Sequence, residues 1–139
     1  MSPIRKLRWV LLWHECPPEY RGGSHWDLML ERENVADERR LATWSLSNLP
    51  AGWPGAATDA ATDVDAVMLD DHRAAYLDYE GPVSGDRGEV TRVVSGEVMW
   101  VEEAEQRVVV ELRGERRGEL RLECDATDQW RLTWREQGS

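Results

Sequence analysis

The run Arg107-Val-Val-Val-Glu-Leu-Arg-Gly-Glu-Arg-Arg-Gly-Glu-Leu-Arg-Leu-Glu-Cys124 decides the fold class. Apolar and charged residues alternate in each half, and Gly114-Glu-Arg-Arg-Gly118 sits between them. A period of two marks strands with one buried face, and a short polar stretch bounded by glycines marks a hairpin. The same period recurs at Gly88-Glu-Val-Thr-Arg-Val-Val94, Gly96-Glu-Val-Met-Trp-Val101 and Trp130-Arg-Leu-Thr-Trp-Arg135. Ala126-Thr-Asp-Gln129 supplies the last turn. Arg40-Leu-Ala-Thr-Trp-Ser-Leu46 is a further strand, and Ala66-Val-Met-Leu69 a short one. Trp9 to His14 and His25 to Glu31 complete the set. About eight short strands in a small chain predict an all-β fold, a closed antiparallel barrel or a sandwich; closure removes edge strands, so the barrel is the expectation.

Two segments depart from the pattern. Residues 50–65, from Pro50 to Asp65, are rich in Pro, Gly and Ala and read as a partly mobile surface loop. Ala74 to Tyr79 reads as a single helical turn or an irregular crossing. Trp53 is the tryptophan expected to be exposed, where it can stack on a base; the other tryptophans read as core.

The bulk numbers narrow the function classes. At 139 residues the chain is expected to form one domain, 1–139. No apolar stretch approaches the roughly 20 residues of a membrane span, and the start lacks the long apolar run of a signal peptide, so the protein is expected to be cytoplasmic and not membrane-bound. Two cysteines, Cys16 and Cys124, then read as reduced thiols. Cys16 stands two residues after His14, within reach of a metal role. The formal charge of −10, from 27 acidic and 17 basic residues, opposes tight binding to a long polyanion. Lys6 is the single lysine, and the arginines cluster at Arg39-Arg40 and between Arg113 and Arg121.

Imidazole is rare here, with three histidines, so its placement carries weight. His14 ends an apolar run, His25 opens His25-Trp-Asp-Leu-Met-Leu-Glu31, and His72 follows two carboxylates in Leu69-Asp-Asp-His72. In a strand, His25, Asp27, Met29 and Glu31 share a face. Two imidazoles and a carboxylate suit Mn²⁺, Zn²⁺ or Fe²⁺ with positions left open for a substrate. Asp70 and Asp71 read as shaping the turn before His72, and Glu31 either as a support behind the ligands or as the partner of an arginine.

This ordered set resembles the 3′-phosphoesterase domain of bacterial DNA ligase D, a member of the DNA polymerase/ligase N-terminal domain family that also occurs alone. The matching pieces are His14, His25-Trp-Asp-Leu-Met-Leu-Glu31, Leu41-Ala-Thr-Trp-Ser-Leu46, Asp70-Asp-His72, Tyr76, Asp78-Tyr-Glu-Gly81 and Gly85-Asp-Arg-Gly88, spanning about 9–134. The resemblance implies a small β-barrel with a polar crater. It implies a divalent metal, Mn²⁺ first and Zn²⁺ or Co²⁺ next, on His14, His25 and Asp27. His72 would contact the scissile phosphate and Tyr76 would line the same pocket. The implied activity removes 3′-phosphates and terminal ribonucleotides during DNA repair by end joining. The implied partners are a nucleic-acid 3′ end and a repair ligase or polymerase.

Several family cations are missing. Met29 stands where the family strand carries an arginine. Leu46-Ser-Asn-Leu-Pro50, around Ser47, replaces a lysine, and an arginine near Val64 or Asp65 is lost. Such cations stabilise charge on a phosphate in transfer. Arg21, in the long stretch between His14 and His25, and Arg87, in the Gly-rich loop, are the candidate substitutes. Two other readings compete with the enzyme: a barrel that binds a DNA end or a repair protein without turnover, and an acidic barrel without metal.

Overall fold

The computed structural model describes residues 6–19, 23–33, 36–83, 85 and 87–137. It is nearly all-β. The strands are β1 (Leu7–Glu15), β2 (His25–Glu31), β3 (Arg39–Leu46), β4 (Asp63–Arg73), β5 (Gly81–Pro82), β6 (Glu89–Ala104), β7 (Arg107–Gly114), β8 (Gly118–Cys124) and β9 (Trp130–Glu136). One 3₁₀ turn, Ala74–Leu77, follows β4. Among the described residues no helix is long and apolar enough to cross a membrane.

The nine strands form one antiparallel sheet in the order β1-β2-β3-β4-β9-β8-β7-β6-β5. β1 also pairs with β6, which closes the sheet into a ring and leaves the two-residue β5 hanging on β6. Antiparallel closure is therefore as the alternation predicted. Closure depends on β6, which spans 16 residues rather than the two separate runs read on either side of Ser95. Its first part pairs with β1 as far as Val98, and its second part with β7 from Gly96 onward. Gly96 is where the partners overlap: a Cβ there would lie 1.8 Å from the Arg113 carbonyl oxygen and 2.8 Å from Trp9 Nε1. Glycine in this strand marks a close backbone approach, not a turn.

Two apolar clusters lie on opposite faces of β1 to β3. The larger gathers Trp9 and Leu11 of β1, Leu28 and Leu30 of β2, Trp44 and Leu46 of β3, and alternate residues of the remaining long strands. It fills the ring. The smaller gathers Val10, Leu12, Met29, Leu41, Leu77, Val83 and Val90. It covers the outer face of β1 to β3 beneath the 3₁₀ turn and the loop before β6.

Trp53 corrects an expectation. It is 3 % exposed and packs edge-on against Trp134 at 5.2 Å and tilted against Trp9 at 5.7 Å. The loop carrying it is polar in composition, but a large indole gains more by closing the end of the ring than by meeting water. The strand after this loop also begins earlier than read, at Asp63, where Asp63 and Asp65 both bind Arg131 of β9.

The β8–β9 turn is held by one carboxylate. Asp125 Oδ1 accepts from Thr127 Oγ1 at 2.7 Å and from the backbone N–H groups of Gln129 at 3.0 Å and Thr127 at 2.8 Å. These donors, the Thr127 hydroxyl first, hold the Asp125 pKa below its ordinary 3.8. A folded-state value below the unfolded one gives stability above the unfolded value that is lost as pH falls through the folded one. The Asp125 carboxyl carbon, followed by NMR, is expected to titrate below 3.8, and Asp125→Ala to remove the acid-side loss it causes. An ordinary titration midpoint would refute this reading of the turn.

Candidate metal centre

The site is built on the outer face of β1 and β2. His14 and His25 are cross-strand partners in register, and Asp27 lies two residues along β2 on the same face. All three are nearly sealed: His14 and His25 are 6 % exposed and Asp27 2 %. His14 Nδ1 is 3.3 Å from Asp27 Oδ2, and His25 Nε2 is 3.3 Å from Asp27 Oδ1. The imidazole centroids are 4.9 Å apart. The geometry thus brings together the three residues read as ligands.

Backbone carbonyls fix the histidine tautomers. His14 Nε2–H donates to the Arg87 carbonyl at 2.6 Å, and His25 Nδ1–H donates to the Gly23 carbonyl at 3.0 Å. A carbonyl accepts only, so those ring nitrogens carry protons. Each ring then turns its second nitrogen onto Asp27. In a neutral ring that nitrogen is a lone pair, and a lone pair facing a carboxylate calls for a cation between them, either a proton or a metal ion. Asp27 Oδ1 is sealed from solvent and makes no well-formed hydrogen bond. Burial pushes the Asp27 carboxyl up, but the hydrogen bonds and charges of His14 and His25 outweigh it, and its pKa lies below the ordinary value.

The loop before β6 completes the wall. Gly88 has φ +89°, and a Cβ on it would fall 1.8 Å from the Glu15 carbonyl oxygen. That close approach at the end of β1 is what seats the Arg87 carbonyl on His14. On the other side, His14, Cys16 and His25 offer donor atoms that all lie within 4.8 Å of one another. Cys16, read as a lesser candidate, therefore stands close enough to share a metal ion with the two imidazoles. His14, Cys16 and His25 thus form a group that could hold a metal ion, with Asp27 3.3 Å from each imidazole.

His72 reaches the same cavity because β4 is bulged. Thr43 pairs with Leu69, but Leu41 pairs with His72, so two steps on β3 match three on β4. Leu69 and His72, an odd number of residues apart, are thereby turned to one face. His72 Nδ1–H donates to the Asp70 carbonyl at 2.8 Å, which leaves Nε2 as its second nitrogen. Tyr76 packs edge-on against it at 5.8 Å. A cavity of about 530 Å³ is lined by His14, Asp27, Met29, His72, Tyr76 and Arg87, together with Arg39 and Arg73.

Neither protein-family models nor curated proteins gave a match to this chain. The functional reading therefore rests on the motif residues and on their placement in the fold. Met29, where the resembled family has arginine, is 1 % exposed inside the smaller apolar cluster, so that cation is replaced by packing. Arg21 lies outside the described residues. Arg32 binds Asp71, and Arg40 binds Glu31, which places Asp71 and Glu31 as structural carboxylates. Sequence reading passed over Arg39 and Arg73 as cavity residues. Their signal was adjacency: Arg73 follows His72, and Arg39 opens the strand that pairs with it.

Proposed function

We propose that the chain is a divalent-metal-dependent phosphoesterase acting on terminal phosphoesters, with nucleic-acid 3′ ends as the foremost substrate class. The observation that carries the reading is convergence: His14, Asp27 and His72 line one cavity, and His25 stands behind it against Asp27 at 3.3 Å. His14, His25 and Asp27 would hold the ion, and the chemistry it would supply is Lewis-acid polarisation of a phosphoryl oxygen and activation of water. With Asp27 as third ligand the set suits Mn²⁺; drawing in Cys16 makes it more Zn²⁺-like. His72 Nε2 exchanges a proton with the departing oxygen, its ring oriented by the Asp70 carbonyl. Tyr76 holds that ring from the side. On this reading the partners are a DNA 3′ end and the repair ligase or polymerase that uses it next.

The test is Mn²⁺-dependent release of phosphate from a 3′-phosphorylated primer strand. His25→Ala and Asp27→Ala are expected to abolish release. His72→Ala is expected to lower kcat about 10²–10⁴-fold with metal binding intact, the usual range for a positioned general acid. Bound metal without turnover on any 3′-end substrate would favour a binding module, the reading to which the packed Met29 points. Turnover unchanged in Asp27→Ala would overturn the assignment.

A further inference from the structure

In this acidic chain most of the described arginines are neutralised. Arg8, Arg32, Arg40, Arg92, Arg107, Arg113, Arg116, Arg121 and Arg131 each pair with a carboxylate. Among the described residues Arg39, Arg73, Arg117 and Arg135 have no carboxylate partner, although acids outnumber bases 27 to 17, and of these four Arg39 and Arg73 line the cavity. Arg39 and Arg73 are set apart by their placement. They are directly opposite each other in the β3–β4 ladder, one position from His72 along β4. Like charges facing each other across a ladder are destabilising. Both side chains are exposed and both line the cavity that holds His14, Asp27 and His72. An exposed like-charged pair on the wall of this cavity, which Asp70 and Asp71 also line, gains by binding an anion that relieves the repulsion.

We infer that Arg39 and Arg73 form a clamp for the phosphate of the substrate, the part played elsewhere by cations this chain lacks. The inference rests on the phosphoesterase reading for the identity of the anion. Guanidinium groups present paired N–H donors that match phosphate oxygens. Two of them on neighbouring strands can grip a terminal phosphate, whereas the surrounding negative field disfavours the long backbone of a duplex. The ligand class is therefore a terminal or small phosphomonoester. Arg39 and Arg73 set its position, and His72, beside Arg73, meets the ester oxygen.

The experiment is an NMR titration of the full chain in EDTA, with thymidine 3′-monophosphate and inorganic phosphate as separate probes. Wild type is expected to bind both saturably. R39Q and R73Q are each expected to weaken binding of either probe about tenfold, the low end for a charge-assisted hydrogen bond, and R39Q/R73Q about a hundredfold. R117Q, an arginine outside the cavity lining, is expected to change neither affinity. Melting temperatures of R39Q and R73Q should equal or exceed that of wild type, since a repulsion is relieved. Phosphate affinity unchanged in the double variant, equal weakening by R117Q, or no saturable binding by wild type would overturn the clamp. Asp27→Asn separates the two readings. If it loses metal and keeps phosphate affinity, the clamp stands by itself; metal loading by wild type without phosphate affinity sinks the clamp and spares the metal centre.

Discussion

Asp27→Asn is expected to erase the stabilisation that Mn²⁺ or Zn²⁺ confers on the wild-type protein. A ligand that binds only the folded state adds about 2.7 kcal/mol at a concentration 100 times its dissociation constant. For a chain of this length an unfolding entropy of about 2 cal/mol/K per residue turns that into a rise of roughly 9 °C in Tm. The asparagine keeps the shape of the side chain and removes the charge, so the ion loses its anionic ligand while the packing around it persists. The metal-free variant is expected to fold. Its carboxamide escapes the burial cost that the 2 %-exposed carboxylate bears, which softens but does not cancel the loss of the hydrogen bonds and charges of His14 and His25, so its metal-free melting temperature is expected to lie below that of metal-free wild type. Thermal melts in EDTA and in excess metal, with elemental analysis of both proteins, check this. An equal metal-induced rise in wild type and variant would remove Asp27 from the site, and no rise in wild type would remove the site.

The grouping of His14, His25 and Asp27 was legible because its geometry is local. His25 and Asp27 share a face by the two-residue period of a strand, and a hairpin pairing of β1 with β2 sets His14 opposite His25. The hairpin through residues 114–118 was legible for the same reason. What escaped reading depends on partners distant in sequence. Gly96 resembles a turn residue; only the crossing of β1, β6 and β7 shows it as the point where a strand changes partners. Trp53 sits in a polar loop, and nothing beside it in sequence reveals that Trp9 and Trp134 await it. The bulge that turns Leu69 and His72 to one face leaves no composition signal. Arg39 and Arg73 look like ordinary surface charges until the register sets them opposite each other and the ion-pair pattern leaves them unbalanced.

The second large effect is expected at Trp44. Its side chain is fully buried inside the ring and meets Trp130 edge-on at 5.6 Å. Truncation of such a residue removes its transfer energy and opens a cavity, so Trp44→Ala is expected to cost about 3–5 kcal/mol. At the same unfolding entropy, Tm falls by roughly 10–17 °C. Trp44→Phe should cost far less. The buried Trp44 Nε1–H has no hydrogen-bond partner among the described residues, and an unmet buried donor costs about 1–3 kcal/mol. Phenylalanine gives up area but also removes that donor. The chain uses eight tryptophans and no phenylalanine; across the ring, indoles at 5–6 Å spacing fill a width that smaller rings would leave open. Because Trp44 lies in the cluster that fills the ring while His14 and Asp27 line the cavity on the opposite face of the sheet, the metal-induced rise in Tm is expected to survive in both variants. Urea and thermal melts followed by near-ultraviolet circular dichroism decide the matter. A Trp44→Ala protein that melts with wild type would show that the ring interior does not carry the fold, and one that loses its metal response would show that the two faces are coupled through β3.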